Sequence, residues 1–311
     1  MSDEQQTSQA LGLTFDFWGV KCRVLSVHKP DIAHMAYYFG EFMVKPEPPD
    51  VDVFLQTGNP ERSFVENLTD PATEKKILFR TDGTDWQVWE AFTKESKNPA
   101  LVPPFYLPPL LDRVLLLHGA ALSAPNDKGN DNGRGNGKGL LVFGAPKSGK
   151  SLISLALGNK GFGFLADDQV VYDFQGKNIL AYRRPLGIRE NTWKLLGLEG
   201  QKIEGAAQLD TPEGTTFMVR AEALGLDISA QKARPAHAFF LKNEDVKELS
   251  VRKMSKADVK KHVLDNTLSI PEQHVPQAEA LAESLPGLEI SFQLERDWQA
   301  VVDIISREAS A

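Results

Sequence analysis

The chain of 311 residues contains one cysteine, Cys22. No disulfide can form within it, no zinc cluster can be built from its thiolates, and such usage fits a reducing compartment. Long apolar runs are missing as well: no stretch approaches the roughly 20 residues of a membrane-spanning helix. The start, Met1 to Ala10, is polar and acidic rather than basic and then apolar, so it carries no secretory signal pattern. The expectation is a cytoplasmic protein with no membrane partner. Basic charge is in deficit: 35 Lys and Arg against 42 Asp and Glu leave a net charge of −7. That balance argues against nucleic acid as a partner. What the chain does have is ordinary globular substance, with 41% hydrophobic residues, enough to bury a core.

Within that background one octapeptide stands out. Gly144-Ala145-Pro146-Lys147-Ser148-Gly149-Lys150-Ser151 matches the phosphate-loop pattern G-x-x-x-x-G-K-[ST] at every position. The apolar run Leu140 to Phe143 precedes it and reads as a buried strand, while Leu152 to Leu157 continues as a helix. Phosphate chemistry needs that order. The glycines let backbone N–H groups turn inward around phosphate oxygens, and the helix N-terminus adds its positive end. The candidate nucleotide-binding residues are therefore 144–152: the eight above and Leu152. Lys150 is expected to reach the β- and γ-phosphates of ATP, and Ser151 to ligate Mg²⁺.

The chain divides, on this reading, into a disordered tail at 1–10, an N-terminal α+β region at 11–104 and a nucleotide-binding domain at 105–311. The proline-rich run Val102 to Pro109 marks the boundary. The tail is followed by two alternating segments, Leu13 to Trp18 and Val20 to Leu25, which predict a hairpin turning at Gly19. Ile32 to Phe39 predicts a helix. Later, Arg113 to Leu122 and Gly163 to Tyr172 each predict one strand, and residues 126–139, low in complexity and rich in Gly and Asn, predict a flexible loop between strands. Ser255 is the expected N-cap of a helix over 256–264. That helix carries a basic face of Lys253, Lys256, Lys260 and Lys261, more often a solvated face than a docking surface. Among the tryptophans, most of which are expected in the core, Trp193 is the one placed to approach an acceptor.

A phosphate loop alone does not say what becomes of the γ-phosphoryl group. The next clue is Asp167-Asp168, sixteen residues after Ser151. Two adjacent carboxylates at a strand end can divide the work of phosphoryl transfer: one anchors the metal, and the other accepts the proton of an attacking hydroxyl. Other nucleotide-handling classes lack their marks here. The GTPase N-K-x-D is absent, Leu241-Lys242-Asn243-Glu244-Asp245 having only scrambled elements of it. The transporter-ATPase L-S-G-G-Q and an arginine-rich kinase lid are absent too.

Taken together, His118-Gly119-Ala120-Ala121, the phosphate loop, and Phe164-Leu165-Ala166-Asp167-Asp168 resemble the catalytic domain of HPr kinase/phosphorylase and its HPr-kinase-related relatives. The similar stretch runs from about Leu116 to Leu196. The resemblance implies a mixed α/β (α+β) fold of the HPr kinase and phosphoenolpyruvate carboxykinase type, preceded by a β-rich region. It implies Mg²⁺ and ATP as cofactors. It implies a kinase whose base toward a seryl hydroxyl is Asp168 or Asp167, with the partner acid near the metal and His118 beside the pair. Arg234, before a late strand, is similar to an arginine of the family and would stabilise charge on the transferred group. The implied partners are an acceptor protein, peptide or small molecule bearing a hydroxyl, and further copies of the chain in a homo-oligomer. The same site could run in reverse as phosphoserine phosphorolysis. A departure lies at Tyr182, where the family's Glu-x-Arg-Gly-x-Gly segment has glutamate. Arg184 and Gly187 match that segment, and Glu190 is the nearest acid that could substitute.

Overall fold

The computed structural model describes residues 10–57, 64, 75–81, 85–88, 107–125, 137–211, 214–268 and 272–310. The expected tail at 1–9, most of the proline-rich run and residues 126–136 of the Gly/Asn stretch lie outside them. The chain falls into two compact units, Met1–Asp112 and Arg113–Ala311, and both are mixed α/β. Among the described residues no helix is long and apolar enough to cross a membrane.

The first unit holds a sheet of six strands: β1 (Leu11–Phe17), β2 (Val20–Ser26), β3 (Met43–Val44), β4 (Val51–Thr57), β5 (Lys75–Thr81) and β6 (Gln87–Val88), in the order β3-β1-β2-β4-β5-β6. The β1–β2 hairpin turns at Trp18-Gly19, both at positive φ (54° and 94°), the primed turn whose twist suits tight hairpins. Alternation, strict in β2 and interrupted in β1 by buried Thr14, puts Phe15, Phe17, Cys22 and Val24 in the core. Helix Lys29–Phe39 begins three residues earlier than its apolar pattern suggested, because Pro30 is pre-set for a first helical turn. Its Phe39 meets Phe15 and Phe17 edge-on at 6.1 and 5.7 Å.

The second unit contains β7 (Val114–His118), β8 (Ala120–Ser123), β9 (Gly137–Gly144), β10 (Gly163–Ala166), β11 (Gln169–Asp173), β12 (Asn178–Leu180), β13 (Leu186–Arg189), β14 (Ala207–Thr211), β15 (Gly214–Val219), β16 (Lys232–Asn243), β17 (Ser250–Lys253), β18 (Thr267–Leu268) and β19 (Gly287–Phe292). The main sheet runs β10-β8-β9-β16-β12-β11-β7-β18, with β19 on β16 and β17 on β19; β13-β15-β14 form a separate antiparallel sheet. β16 runs parallel to β9 and to β19, and the other strand pairings of this unit are antiparallel. Residues 137–139, expected in the loop, are the start of β9.

Two expected strands each divide. The first breaks at Gly119 into β7 and β8, the second at Asp167-Asp168 into β10 and β11. The halves still pair across, β8 with β10 and β7 with β11. At the first break glycine is required by a close approach: a Cβ on Gly119 would stand 2.9 Å from the Val142 carbonyl of β9. At the other break Asp168 takes a left-handed φ of 67°, which a short polar side chain tolerates better than most. Both strands thus leave the ladder at one level, beside the end of β9.

Helices Lys150–Asn159 and Leu294–Ser310 cover one face of the main sheet. Ile153, Leu157, Val301 and Ile305 bury against Leu140, Val142, Phe239 and Ile290. Trp193 belongs to a second core with Phe164, Ile188 and Val219 and stacks on Phe217 at 4.4 Å, so it faces the interior rather than an acceptor. Ser255 caps helix Lys256–Asp265 by accepting from the Asp258 N–H. Of the expected basic face, Lys260 pairs with Glu279 at 2.8 Å and Lys256 donates to the Glu283 and Leu285 carbonyls, so part of it is tied up within the protein.

Candidate functional site

β9 is buried along most of its length between β8 and β16, which fixes where its C-terminal end emerges. The loop 144–149 turns there and enters helix Lys150–Asn159. Gly144 is required by space: a Cβ would lie 2.7 Å from the Leu241 carbonyl and collide with the Ser148 hydroxyl. Gly149 has φ +93°, and a methyl group of Leu294 occupies the place of its missing Cβ. The Ser148 N–H donates to the Ala145 carbonyl at 3.1 Å and closes the turn. Lys150 curls back over its own loop, its Nζ donating to the Gly144 and Ala145 carbonyls at 2.8 and 3.2 Å. Burial pushes its pKa below the ordinary lysine value, against the opposing pull of Asp167 and Asp168. The Ser148 hydroxyl is shut from solvent, without a hydrogen-bond partner among the described residues. Pro146 and Lys147 are exposed at the loop tip, and Leu152 is fully buried in the first helical turn.

The Ser151 hydroxyl donates to Asp167 Oδ2 at 2.6 Å. The other oxygen, Oδ1, is shut from solvent and has no hydrogen-bond partner among the described residues. Burial raises the Asp167 pKa to about 6, the Ser151 hydrogen bond opposing it. An unfolded aspartate titrates near 3.9. Folding therefore favours the protonated acid, and the stability it contributes is complete below the unfolded value and lost as pH rises through about 6. At pH 7.5 the group is an ionised, half-satisfied carboxylate. Asp167→Asn is accordingly expected to stabilise the protein at pH 7.5 without divalent cation, by about 2 kcal/mol or less. The gain should shrink toward pH 5. Thermal denaturation of both proteins at the two pH values checks this; a loss of stability at pH 7.5 would contradict it.

Asp168 points the other way. Its Oδ1 lies 3.5 Å from His118 Nε2 and its Oδ2 lies 3.5 Å from an Arg184 guanidinium nitrogen. His118 first, and then the Arg184 charge, hold its carboxyl below the usual carboxylate range. β7 presents His118, whose N–H is tied to the Asn266 carbonyl at 2.7 Å, and Gly119 N–H reaches the Asp168 carbonyl at 3.3 Å. Arg184 is largely buried, with its guanidinium 5.5 Å from the centre of the Tyr182 ring. Its neighbour Arg183 turns inward and donates to the Phe164, Ile228 and Ala230 carbonyls.

The fold thus brings together the loop 144–151, Asp167, Asp168 and His118. It does not bring Arg234. That residue opens β16 opposite Lys138, seven positions before Leu241, which lies opposite Gly144. At the strand rise that is about 23 Å from the loop, at the far end of the sheet. Arg184 is the arginine at the acid pair instead. Tyr182 is buried with its N–H on the Leu165 carbonyl, and Glu190 is engaged by Lys194 at 2.8 Å. Tyr182 thus brings no carboxylate where the resemblance implies one. Asn243, which no local pattern marks, touches the loop through the Lys147 carbonyl.

The donor set suits Mg²⁺. Ser151 Oγ and the Asp167 carboxylate, joined through Oδ2 and with Oδ1 unpartnered among the described residues, are hard oxygen donors. Among the described residues no group of three or more His, Cys, Asp or Glu could build an all-protein cage. Mg²⁺ is commonly held in that way, by one or two protein oxygens together with substrate phosphates and water.

No protein-family model matches the chain, and no curated protein matches it. Among solved structures the chain is similar to the HPr(Ser) kinase/phosphatase from Coxiella burnetii, at 12% identity and a TM-score of 0.27, over 62% of this chain and 95% of that one.

Proposed function

We propose that the chain is an ATP-dependent kinase of HPr-kinase-like architecture, with residues 105–311 as its nucleotide-binding domain, acting in the cytoplasm. It moves the γ-phosphoryl group of ATP to the hydroxyl of a serine or another alcohol on a protein, peptide or small molecule. One observation carries this reading: a complete phosphate loop ends within reach of two adjacent aspartates whose carboxylates face different partners.

The backbone N–H groups of the loop cradle the β- and γ-phosphates. Lys150 exchanges the Gly144 and Ala145 carbonyls for phosphate oxygens. Ser151 and Asp167 would hold Mg²⁺, which neutralises phosphate charge when bound. Asp168, ionised at neutral pH, orients the acceptor hydroxyl and takes its proton as that oxygen attacks the γ-phosphorus. The bond from γ-phosphorus to the bridging oxygen breaks, and ADP leaves. His118 holds Asp168 in place. Arg184 lies where its planar fork can take charge on the transferred group.

A second reading is a nucleotide-binding regulatory module without efficient transfer. Tyr182, standing where the resemblance implies a glutamate, favours it; the intact acid pair opposes it. Incubating the protein with Mg²⁺ and γ-labelled ATP in a lysate of the source cells separates the two. The kinase is expected to label a discrete acceptor. Tight ATP binding with no labelled species would favour the module.

A further inference from the structure

The phosphate loop carries an unusual demand at Lys147. Its φ is +67°, a left-handed conformation that disfavours any residue with a Cβ. The exposed side chain of Lys147 does not explain how that conformation is held. The explanation lies about a hundred residues away in sequence. β16 runs parallel to β9 and is paired up to Leu241 opposite Gly144, so its last residue, Asn243, extends past the strand end to the level of the loop. Asn243 Nδ2 donates to the Lys147 carbonyl at 3.2 Å. Its Oδ1 accepts the Leu294 N–H at 3.0 Å, where the C-terminal helix begins. Only the amide nitrogen can serve a carbonyl and only the amide oxygen can serve an N–H, so the orientation is fixed. Leu294, in turn, fills the space over Gly149.

We propose that Asn243 is a positioning residue of the nucleotide site, which holds the Lys147 peptide left-handed and so pre-organises the loop for phosphate. Fixing the Lys147 carbonyl sets the plane of the 147–148 peptide, whose N–H closes the turn onto Ala145. Without the tether the loop must find that form when phosphate arrives, and the ordering cost appears as lost affinity. This inference rests on the nucleotide-binding reading above.

A double-mutant cycle tests it. Glycine adopts a left-handed φ without help, so a chain carrying Lys147→Gly should no longer need Asn243. Asn243→Ala is expected to weaken Mg·ATP binding about tenfold in the wild-type background, and by less than twofold in the Lys147→Gly background. The charge removed with Lys147 cancels across the cycle. Asn243→Asp, run through the same cycle, keeps an acceptor for the Leu294 N–H and guards against loss of the C-terminal helix. Titration calorimetry reads affinity, and thermal denaturation reads fold. Equal losses in both backgrounds would mean that Asn243 acts only as general scaffold and would overturn the proposal, as would no loss at all. A wild-type protein that fails to bind Mg·ATP would instead overturn the nucleotide reading, and this inference with it.

Discussion

Lys150→Ala is expected to weaken Mg·ATP binding by a factor of about a hundred to a thousand. The ammonium is largely buried and satisfied by the Gly144 and Ala145 carbonyls. On binding it trades neutral acceptors for ionised phosphate oxygens, and hydrogen bonds to charged groups contribute about 1.5–3 kcal/mol each. Two of them near the lower end of that span, about 3–4 kcal/mol together, give the stated range. The substitution also removes the clasp that draws the loop's first two carbonyls inward. Titration of the purified variant with Mg·ATP decides the matter, with circular dichroism confirming that the fold persists. A dissociation constant within threefold of wild type would remove the loop from the site.

Asp168→Asn separates transfer from binding. The amide is nearly isosteric and leaves the Ser151–Asp167 pair untouched, so affinity for Mg·ATP should stay within a few-fold of wild type. It cannot accept a proton, and a positioned base contributes typically 10²–10⁴ in rate. The turnover number should fall by about a thousandfold. The pH profile distinguishes the two acids. His118 and Arg184 hold the Asp168 carboxyl below the usual range, so it stays ionised throughout mildly acidic conditions. An acid limb near pH 6 in kcat/KM for ATP, which reports the nucleotide-free protein, would belong to Asp167, whose pKa is raised to about 6 there. A variant with full turnover would reassign the base.

The parts of the site that were legible in the sequence are those made by consecutive residues. The loop 144–151 and the pair Asp167-Asp168 are local objects, and their glycines and acids announce themselves. The elements were legible to a similar degree, since the β1–β2 hairpin and the cap at Ser255 follow from short-range rules. What could not be read depends on which strand lies beside which. Arg234 belongs to the strand next to the loop but to its wrong end, and β16, at 12 residues, is long enough to separate the two. Arg183 and Arg184 are adjacent in sequence, yet one is consumed by backbone carbonyls and the other faces Asp168. Trp193 follows the site in the chain and is claimed by Phe217 and a second core. Asn243 depends on the register of β16 against β9, which no short window of sequence contains.

Gly119 gives the site its gauge. The chain just past His118, where β7 gives way to β8, is pressed so near to β9 that a single methyl group on residue 119 would stand 2.9 Å from the Val142 carbonyl. The chemistry therefore has two ends, a phosphate end carried by β9 and a proton end carried by His118 and Asp168, and their separation is set by main chain rather than by rotamers. Alanine at 119 would act as a wedge, spreading the two ends while leaving every named side chain in place. Widening the site for a bulkier acceptor must likewise come from the segments around it, because this spacing has no slack to give.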